Sequence, residues 1–214
     1  MDERMRKKKQ ENLEPASGSK ETGIKERKLL ERVASYYQAQ LLKDSRGLKY
    51  LEQAWGILEK SLLEEFTVGY ATGTLLEVLP PEGDVIEALT RMGVLTSRGR
   101  ETLSHCVTIP LKDLSNAIVG LYGRRIEVKE GTPEDLIFPS PPRGLLNWQA
   151  AKRSQSLLLT PTILEGLRLY QEGFKNTVPC VSAGSLSPDQ LDLFTRFSVK
   201  EVYCVHAPDN PGGT

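Results

Sequence analysis

Residues 156–205 read SLLLTPTILEGLRLYQEGFKNTVPCVSAGSLSPDQLDLFTRFSVKEVYCV, and the order of the apolar runs within them decides the fold. Leu157-Leu158-Leu159 is continuously apolar, the mark of a strand buried on both faces, whereas Ile163, Leu164, Leu167 and Tyr170 recur at helical spacing. Thr177 to Val181 supplies a second strand. Ser187-Pro188 then offers an N-cap and a proline at the first helical position ahead of Leu191, Phe194 and Phe197, and Glu201 to Val205 closes as a third strand. Strands separated by single helices predict right-handed crossovers and a parallel sheet, here assigned to a domain spanning 151–214.

Upstream, the texture changes. Cys106 to Leu111 and Ala117 to Gly123 are apolar runs around the polar turn Asp113-Leu114-Ser115-Asn116, which predicts an antiparallel hairpin. Pro133, Pro139, Pro141 and Pro142 mark the next stretch as an irregular connection. Before the hairpin the pattern is helical. Leu29, Leu30, Val33, Tyr36, Tyr37, Gln40 and Leu41 share one face of a helix that starts at Ile24 and is interrupted at Asp44-Ser45-Arg46-Gly47. Shorter helices are expected from Leu48 to Trp55 and from Leu58 to Phe66, followed by an extended link, Val68 to Ala71. Asp84 is expected to cap a helix that Gly93 ends. Residues 1–23, with Lys7-Lys8-Lys9 among Glu, Ser, Pro and Gly, read as a disordered arm, solvated or a weak electrostatic handle for DNA. The fold class is therefore α/β, with a helical plus β-hairpin N-terminal lobe over 24–150 and the parallel-sheet domain after it.

Composition narrows function mainly by exclusion. The 214 residues carry 28 basic and 28 acidic side chains, so no cationic field of the whole protein favours nucleic acid, and any such binding is local. No apolar run approaches the roughly 20 residues that span a bilayer, and the N-terminus has no apolar signal core, which points to a cytoplasmic chain without membrane partners. Three cysteines, Cys106, Cys180 and Cys204, sit far apart in apolar strand-like contexts, as reduced and buried thiols do, and lack zinc-site spacing. His105 and His206 are the only histidines; for His206 a structural or surface role is expected over a general base. Trp148 either packs a loop onto the sheet, the expected reading, or stacks on a base. Arg124-Arg125 and Lys152-Arg153 are the local clusters able to contact phosphate, with a solvated hairpin end and helix as the alternative.

A family resemblance gathers these pieces. Tyr70-Ala71, Ile109-Pro110-Leu111-Lys112-Asp113-Leu114, Tyr122-Gly123-Arg124-Arg125, Arg143-Gly144-Leu145, and Leu164-Glu165-Gly166-Leu167 to Gln171-Glu172-Gly173-Phe174 occur in the order found in bacterial DnaG-type primases. From about residue 30 to 214 the chain resembles the N-terminal lobe of the primase core and the first half of its Toprim domain, most like the primase-like proteins of mobile elements. The resemblance implies an ancestry in DNA-templated primer synthesis with Mg²⁺, and single-stranded DNA or replication proteins as partners. It also places the family's carboxylates. The glutamate that follows the first Toprim strand falls on Pro161, and the acid one helical turn later on Glu165. The paired aspartates after the third strand fall on Ala207 and Asp209. Glu165 and Asp209 are left as the candidate metal ligands, with Glu165 expected well inside its helix. The arginines that precede the Pro110 strand in the family are replaced by Glu101-Thr102-Leu103-Ser104-His105-Cys106. The family's flanking zinc-binding and helicase-interacting regions are expected to be absent, and the sheet to be truncated with an open edge. These departures imply a degenerate primase-like protein. An active primase or Toprim nuclease completed by another chain, and a non-enzymatic interaction module using the sheet edge, are the alternatives.

Overall fold

The computed structural model describes residues 17–128, 130–181 and 186–205, with side chains from residue 25 onward. Helix α1 (Ser17–Lys43) buries Leu30, Val33, Ala34, Tyr37 and Leu41, which repeat at i, i+3, i+4, i+7 and i+11 and so form one stripe. It begins at Ser17, where the sequence reading kept an arm as far as Gly23. Once the amphipathic part has nucleated, lysine and glutamate extend a helix backward at little cost. The rest of that arm, 1–16, lies outside the described residues. Helix α2 (Ser45–Trp55) is capped by the Asp44 carboxylate, which accepts the Arg46 N–H at 3.0 Å, and closed by Gly56 at φ 60°. Helix α3 (Lys60–Glu65) leads into strand β1 (Gly69–Ala71), and a short 3₁₀ turn (Leu75–Val78) precedes α4 (Asp84–Arg91). Gly83, not Asp84, is the N-cap of α4; Asp84 starts the helix and places its charge near the first-turn N–H groups instead.

The expected hairpin is present as β2 (Cys106–Lys112) and β3 (Ile118–Arg125), in a register that sets Thr108 opposite Gly123 and Ile109 opposite Tyr122. Its turn is fixed by the Asp113 carboxylate, which accepts the N–H groups of Ser115 at 2.9 Å and Ala117 at 3.2 Å. The connection read as irregular contains a further strand, β4 (Asp135–Phe138), antiparallel to β3. Pro133 and Pro139 flank this strand and do not interrupt it, so its ladder donors survive. The resulting four-stranded sheet, in order β1-β2-β3-β4, is covered on both faces. Cys106, Ile118, Leu121 and Phe138 join Leu30, Val33, Ala34 and Tyr37 of α1 and Leu89 of α4 in one cluster, while Leu41, Val107, Ile109, Leu111 and Tyr122 belong to another.

That second cluster continues into the C-terminal half. Helix α5 (Ala150–Arg153), strand β5 (Ser156–Thr160), helix α6 (Ile163–Gln171), strand β6 (Thr177–Pro179), helix α7 (Pro188–Arg196) and strand β7 (Glu201–Cys204) alternate as expected. All pairs are parallel, in the order β6-β5-β7. Both Thr162 with Glu165 and Ser187 with Gln190 form capping boxes, which explains where α6 and α7 begin. Leu157, Leu164, Leu167, Val178 and Leu193 pack in the same cluster as Leu51, Leu62 and Tyr122, so the apolar core is continuous across residues 150 and 151. Cys106 and Cys180 are buried, but Cys204 is exposed, a departure from the expected buried thiol. It lies on β7, an edge strand whose four residues are all exposed among the described residues. No described helix is long and apolar enough to cross a membrane.

Helix α1 lies so close to β1 that a Cβ on Gly69 would stand 2.7 Å from the Tyr37 carbonyl carbon and 2.6 Å from its Cβ. Backbone cannot yield as a flexible side chain does. Gly69→Ala is expected to destabilise the fold by about 1–3 kcal/mol, measured as a lower urea midpoint at an unchanged m-value; a midpoint equal to that of the parent would show that α1 can move away freely.

Candidate functional site

Open parallel sheets gather ligands at the carboxyl ends of their strands, so the end of β5 is the first place to look. β5 finishes at Thr160, and Pro161 follows with neither a donor nor an acceptor on its side chain. Thr162 is the N-cap of α6. Its N–H and its hydroxyl donate to Glu165 Oε2 at 3.0 and 2.9 Å, and its Oγ1 accepts the Glu165 N–H at 3.3 Å. Glu165 is thus the third residue of the helix and not deep within it, a correction to the sequence reading. One of its oxygens already serves the helix start. Asp209, Ala207 and His206 lie outside the described residues.

A two-metal Mg²⁺ site needs several converging carboxylate oxygens. Among the described residues no group of three His, Cys, Asp or Glu side chains could hold a metal ion. With a proline at the strand end and Glu165 committed to a cap, the described residues do not fit such a centre.

The basic residues named from sequence separate into three settings. Arg124 and Arg125 are adjacent on β3, so pleating directs them to opposite faces. Arg124 is 17% exposed; it pairs with Glu134 and, at 3.0 Å, with Asp135 Oδ1, and its Nε donates to the Tyr50 hydroxyl at 3.1 Å. Its guanidinium lies 5.6 Å from the centroid of the Trp55 ring. Asp135 Oδ1 also accepts the Tyr122 hydroxyl at 2.6 Å, which completes a network that ties β3 to β4 and to α2. Arg125, in contrast, donates from Nε to the Pro133 carbonyl at 3.1 Å and leaves the remainder of its guanidinium on the other face. Lys152 and Arg153 are both exposed on α5, 27 residues or more along the chain from that pair. The Lys152 ammonium sits 4.6 Å from the Trp148 ring centroid, and Trp148 itself is 4% exposed, packed against Phe197 as the loop anchor the sequence suggested.

Arg125 opens onto a groove of about 630 Å³ whose walls include Arg100, Thr96, Thr102, Ser104 and Glu101. Two guanidinium groups and three hydroxyls can contact a phosphate there. Sequence reasoning missed Arg100: Arg98-Gly99-Arg100 is a visible basic turn, but nothing local in the chain indicates that this loop returns beside β3. Glu101, at the start of the stretch that replaces the family's arginines, is buried. Its Oε2 accepts the Leu75 N–H at 3.2 Å, it accepts a hydrogen bond from Tyr37, and its Oε1 has no partner. Burial pushes the Glu101 carboxyl above its ordinary value of 4.5, against the Leu75 amide and the Tyr37 hydroxyl, which favour the charged form. The same burial, with Glu101 close by, raises the Tyr37 phenol far above its usual range.

No family model matches the chain. Its sequence is 27% identical over 197 residues to the DNA primase of Aquifex aeolicus and 23% identical over 198 residues to that of Haemophilus influenzae. Each comparison takes in 86% of this chain but 39% and 33% of the respective primase. The crystal structure of the Aquifex aeolicus primase zinc-binding and RNA polymerase domains matches with a TM-score of 0.73 at 28% identity, over 86% of this chain and 48% of that one. A DnaG primase catalytic domain bound to single-stranded DNA also gives 0.73, at 20% identity, over 90% of this chain and 66% of that one. The chain is homologous to bacterial DnaG-type DNA primases and has the mixed α/β fold of their catalytic core.

Two variants test the roles read from this geometry. A carboxyl whose folded pKa is raised contributes stability that is present below its unfolded pKa and lost as pH rises through the folded one. The stability of the parent relative to Glu101→Gln is therefore expected to fall as pH rises above the ordinary carboxyl value of 4.5, read from paired urea melts; a constant difference would contradict the raised carboxyl. Arg124→Ala is expected to lower stability by about 1 kcal/mol, through lost packing on Trp55 as well as lost pairing. An Arg124→Ala midpoint matching the parent would show the β3–β4 network to be dispensable.

Proposed function

We propose that this chain, a homologue of the bacterial DnaG-type DNA primases, is a primase-like protein of mobile-element type that binds single-stranded nucleic acid and no longer synthesises primers. The observation that carries the reading is Pro161 at the end of β5 with Glu165 held in the cap of α6. Phosphoryl transfer of this kind depends on Mg²⁺ ions clamped by carboxylates, which stabilise the attacking and leaving oxygens. Such ions would find Glu165 already engaged, and Asp209 alone would not hold a pair of them. Strand binding needs less. A single strand is held through its phosphates by cations and hydrogen-bond donors, and the Arg100–Arg125 groove offers both. Arg124 stays in the β3–β4 network and is a structural residue on this reading. Lys152 and Arg153 are exposed and able to extend the contact with a strand.

Association through the sheet edge is a second reading, supported by β7, where Val202 is 39% and Tyr203 53% exposed. An open, apolar edge strand favours pairing with another chain.

Incubation of the purified chain with ribonucleotides, Mg²⁺ and a single-stranded template is expected to give no primer above background. Template-dependent product that Asp209→Ala abolishes would overturn the loss of catalysis. In salt titrations with fluorescent oligothymidylate, Arg100→Ala/Arg125→Ala is expected to weaken binding and reduce the log–log salt slope by about 1.4, at roughly 0.7 per lost phosphate contact, while Arg124→Ala changes the slope little. Equal slopes for parent and double variant would remove the groove from the binding surface.

A further inference from the structure

A separate cavity, about 160 Å³ in volume, lies between the antiparallel sheet and the base of the parallel one, with Glu65, Lys112, Asn147, Trp148, Gln149 and Arg153 on its wall. It is at the amino end of the parallel strands. Asn147 Nδ2 donates to the carbonyls of Lys175 at 3.1 Å and Thr177 at 2.7 Å, where β6 begins, and Arg153 closes the helix that leads into β5. The strand end at Thr160 is roughly 13 Å away along β5, so this cavity is distinct from any carboxylate centre at the opposite edge.

Counting donors and acceptors defines the chemistry. The two amide N–H groups of Asn147 are committed to backbone carbonyls, and Gln149 Nε2 donates to Asn116 Oδ1 at 2.9 Å. Glu65 Oε1 accepts the Tyr170 hydroxyl at 2.6 Å. Lys112 and Arg153 form no ion pair among the described residues; Arg153 makes a 3.3 Å contact to Asn147 Oδ1 and lies beside the Tyr170 hydroxyl. Trp148 Nε1 is buried and has no partner. Two cations, Lys112 and Arg153, thus share the wall with one carboxylate that keeps a free oxygen.

We propose that this cavity binds a terminal phosphate group. Lys112 and Arg153 meet its anionic oxygens, and a P–OH hydrogen donates to Glu65. A phosphate monoester with a second pKa near 6 retains that hydrogen in part at neutral pH. Sulfate and an internal phosphodiester have none to give, so Glu65 repels them. A cavity of about 150 Å³ admits a benzene ring, so this one takes the phosphate together with the first carbons of an attached sugar. The group belongs either to a free sugar phosphate or to the 5′ end of a strand, and the inference does not depend on strand binding in the Arg100–Arg125 groove.

The Trp55→Phe protein leaves Trp148 as the sole indole, and its emission reports directly on the cavity. Inorganic phosphate and ribose 5-phosphate are expected to produce a saturable change at pH 6.5, and sulfate none. Lys112→Gln and Arg153→Gln are each expected to weaken phosphate binding roughly tenfold, as loss of a charge-assisted contact does, while Lys200→Gln, off the wall, leaves it within about twofold. Glu65→Gln is expected to admit sulfate, a gain that misfolding cannot imitate. Calorimetry with 5′-phosphorylated and hydroxyl-ended tetrathymidylate identifies the source. Tighter binding of the phosphorylated strand assigns the site to strand ends; equal binding, with ribose 5-phosphate bound, assigns it to a free sugar phosphate. No saturable response to phosphate, a parent that binds sulfate equally, or an Arg153→Gln protein that binds as the parent does would overturn the proposal.

Discussion

The two sheets keep their mutual position through one turn, the left-handed residue Gly56 that ends α2. Its carbonyl accepts Arg168 Nη1 and Gln171 Nε2, each at 2.9 Å, and the Trp55 carbonyl accepts Arg168 Nη1 at 3.1 Å. Gln171 Oε1 in turn accepts the N–H groups of Leu58 at 2.7 Å and Glu59 at 3.0 Å. The carbonyls and amides that α2 and α3 leave unpaired at their ends are therefore satisfied by a helix more than 100 residues later in the chain. A Cβ on Gly56 would stand 1.7 Å from Arg168 Nη1, and φ 60° is a conformation that side chains rarely adopt. This turn and α6 therefore supply one another's hydrogen-bond partners at the rim of the apolar cluster that both halves share.

What lies between the sheets inherits that geometry. Residues 145–149 cross from the first sheet to the second, with Leu145 bridged to Lys112 at one end and Asn147 bound to the start of β6 at the other. Trp148 is wedged between these attachments, which is why a tryptophan near a basic helix is a packing residue and its ring is not open to a base. The same wedge leaves a cavity with unequal numbers of donors and acceptors. At the far end of β5 the Thr162 N–H and hydroxyl are both engaged with Glu165 Oε2 in starting α6, and the Thr160 carbonyl accepts the Cys180 N–H.

The parallel half was legible because each element announces itself locally. Leu157-Leu158-Leu159 must be buried on both faces, and Thr162 with Glu165 and Ser187 with Gln190 are capping boxes written in the chain. Three features were not local. β4 exists because β3 offers it a ladder, and the prolines around Asp135–Phe138 gave the opposite impression. Cys204 looked buried because its neighbours are apolar, but burial of β7 depends on what lies beside the sheet edge. Arg124 and Arg125 looked like one patch; pleating splits adjacent strand residues between faces, and only the partners across the sheet tell which one is neutralised.

Glu165 shows how closely stability and chemistry compete for the same atoms. A carboxylate at the third position of a helix can close a capping box, contributing about 1 kcal/mol, or turn outward to a metal ion. When several acids converge at a strand end, each raises the pKa of the next, and the cluster opposes folding until cations neutralise it. Proline at position 161 removes one such charge and has no N–H to leave unpaired, while Glu165 satisfies the Thr162 N–H. With those two residues as they stand, the end of β5 is stable without any ion. The described end of β5 thus carries one carboxylate, and one of its two oxygens is already engaged in starting the helix.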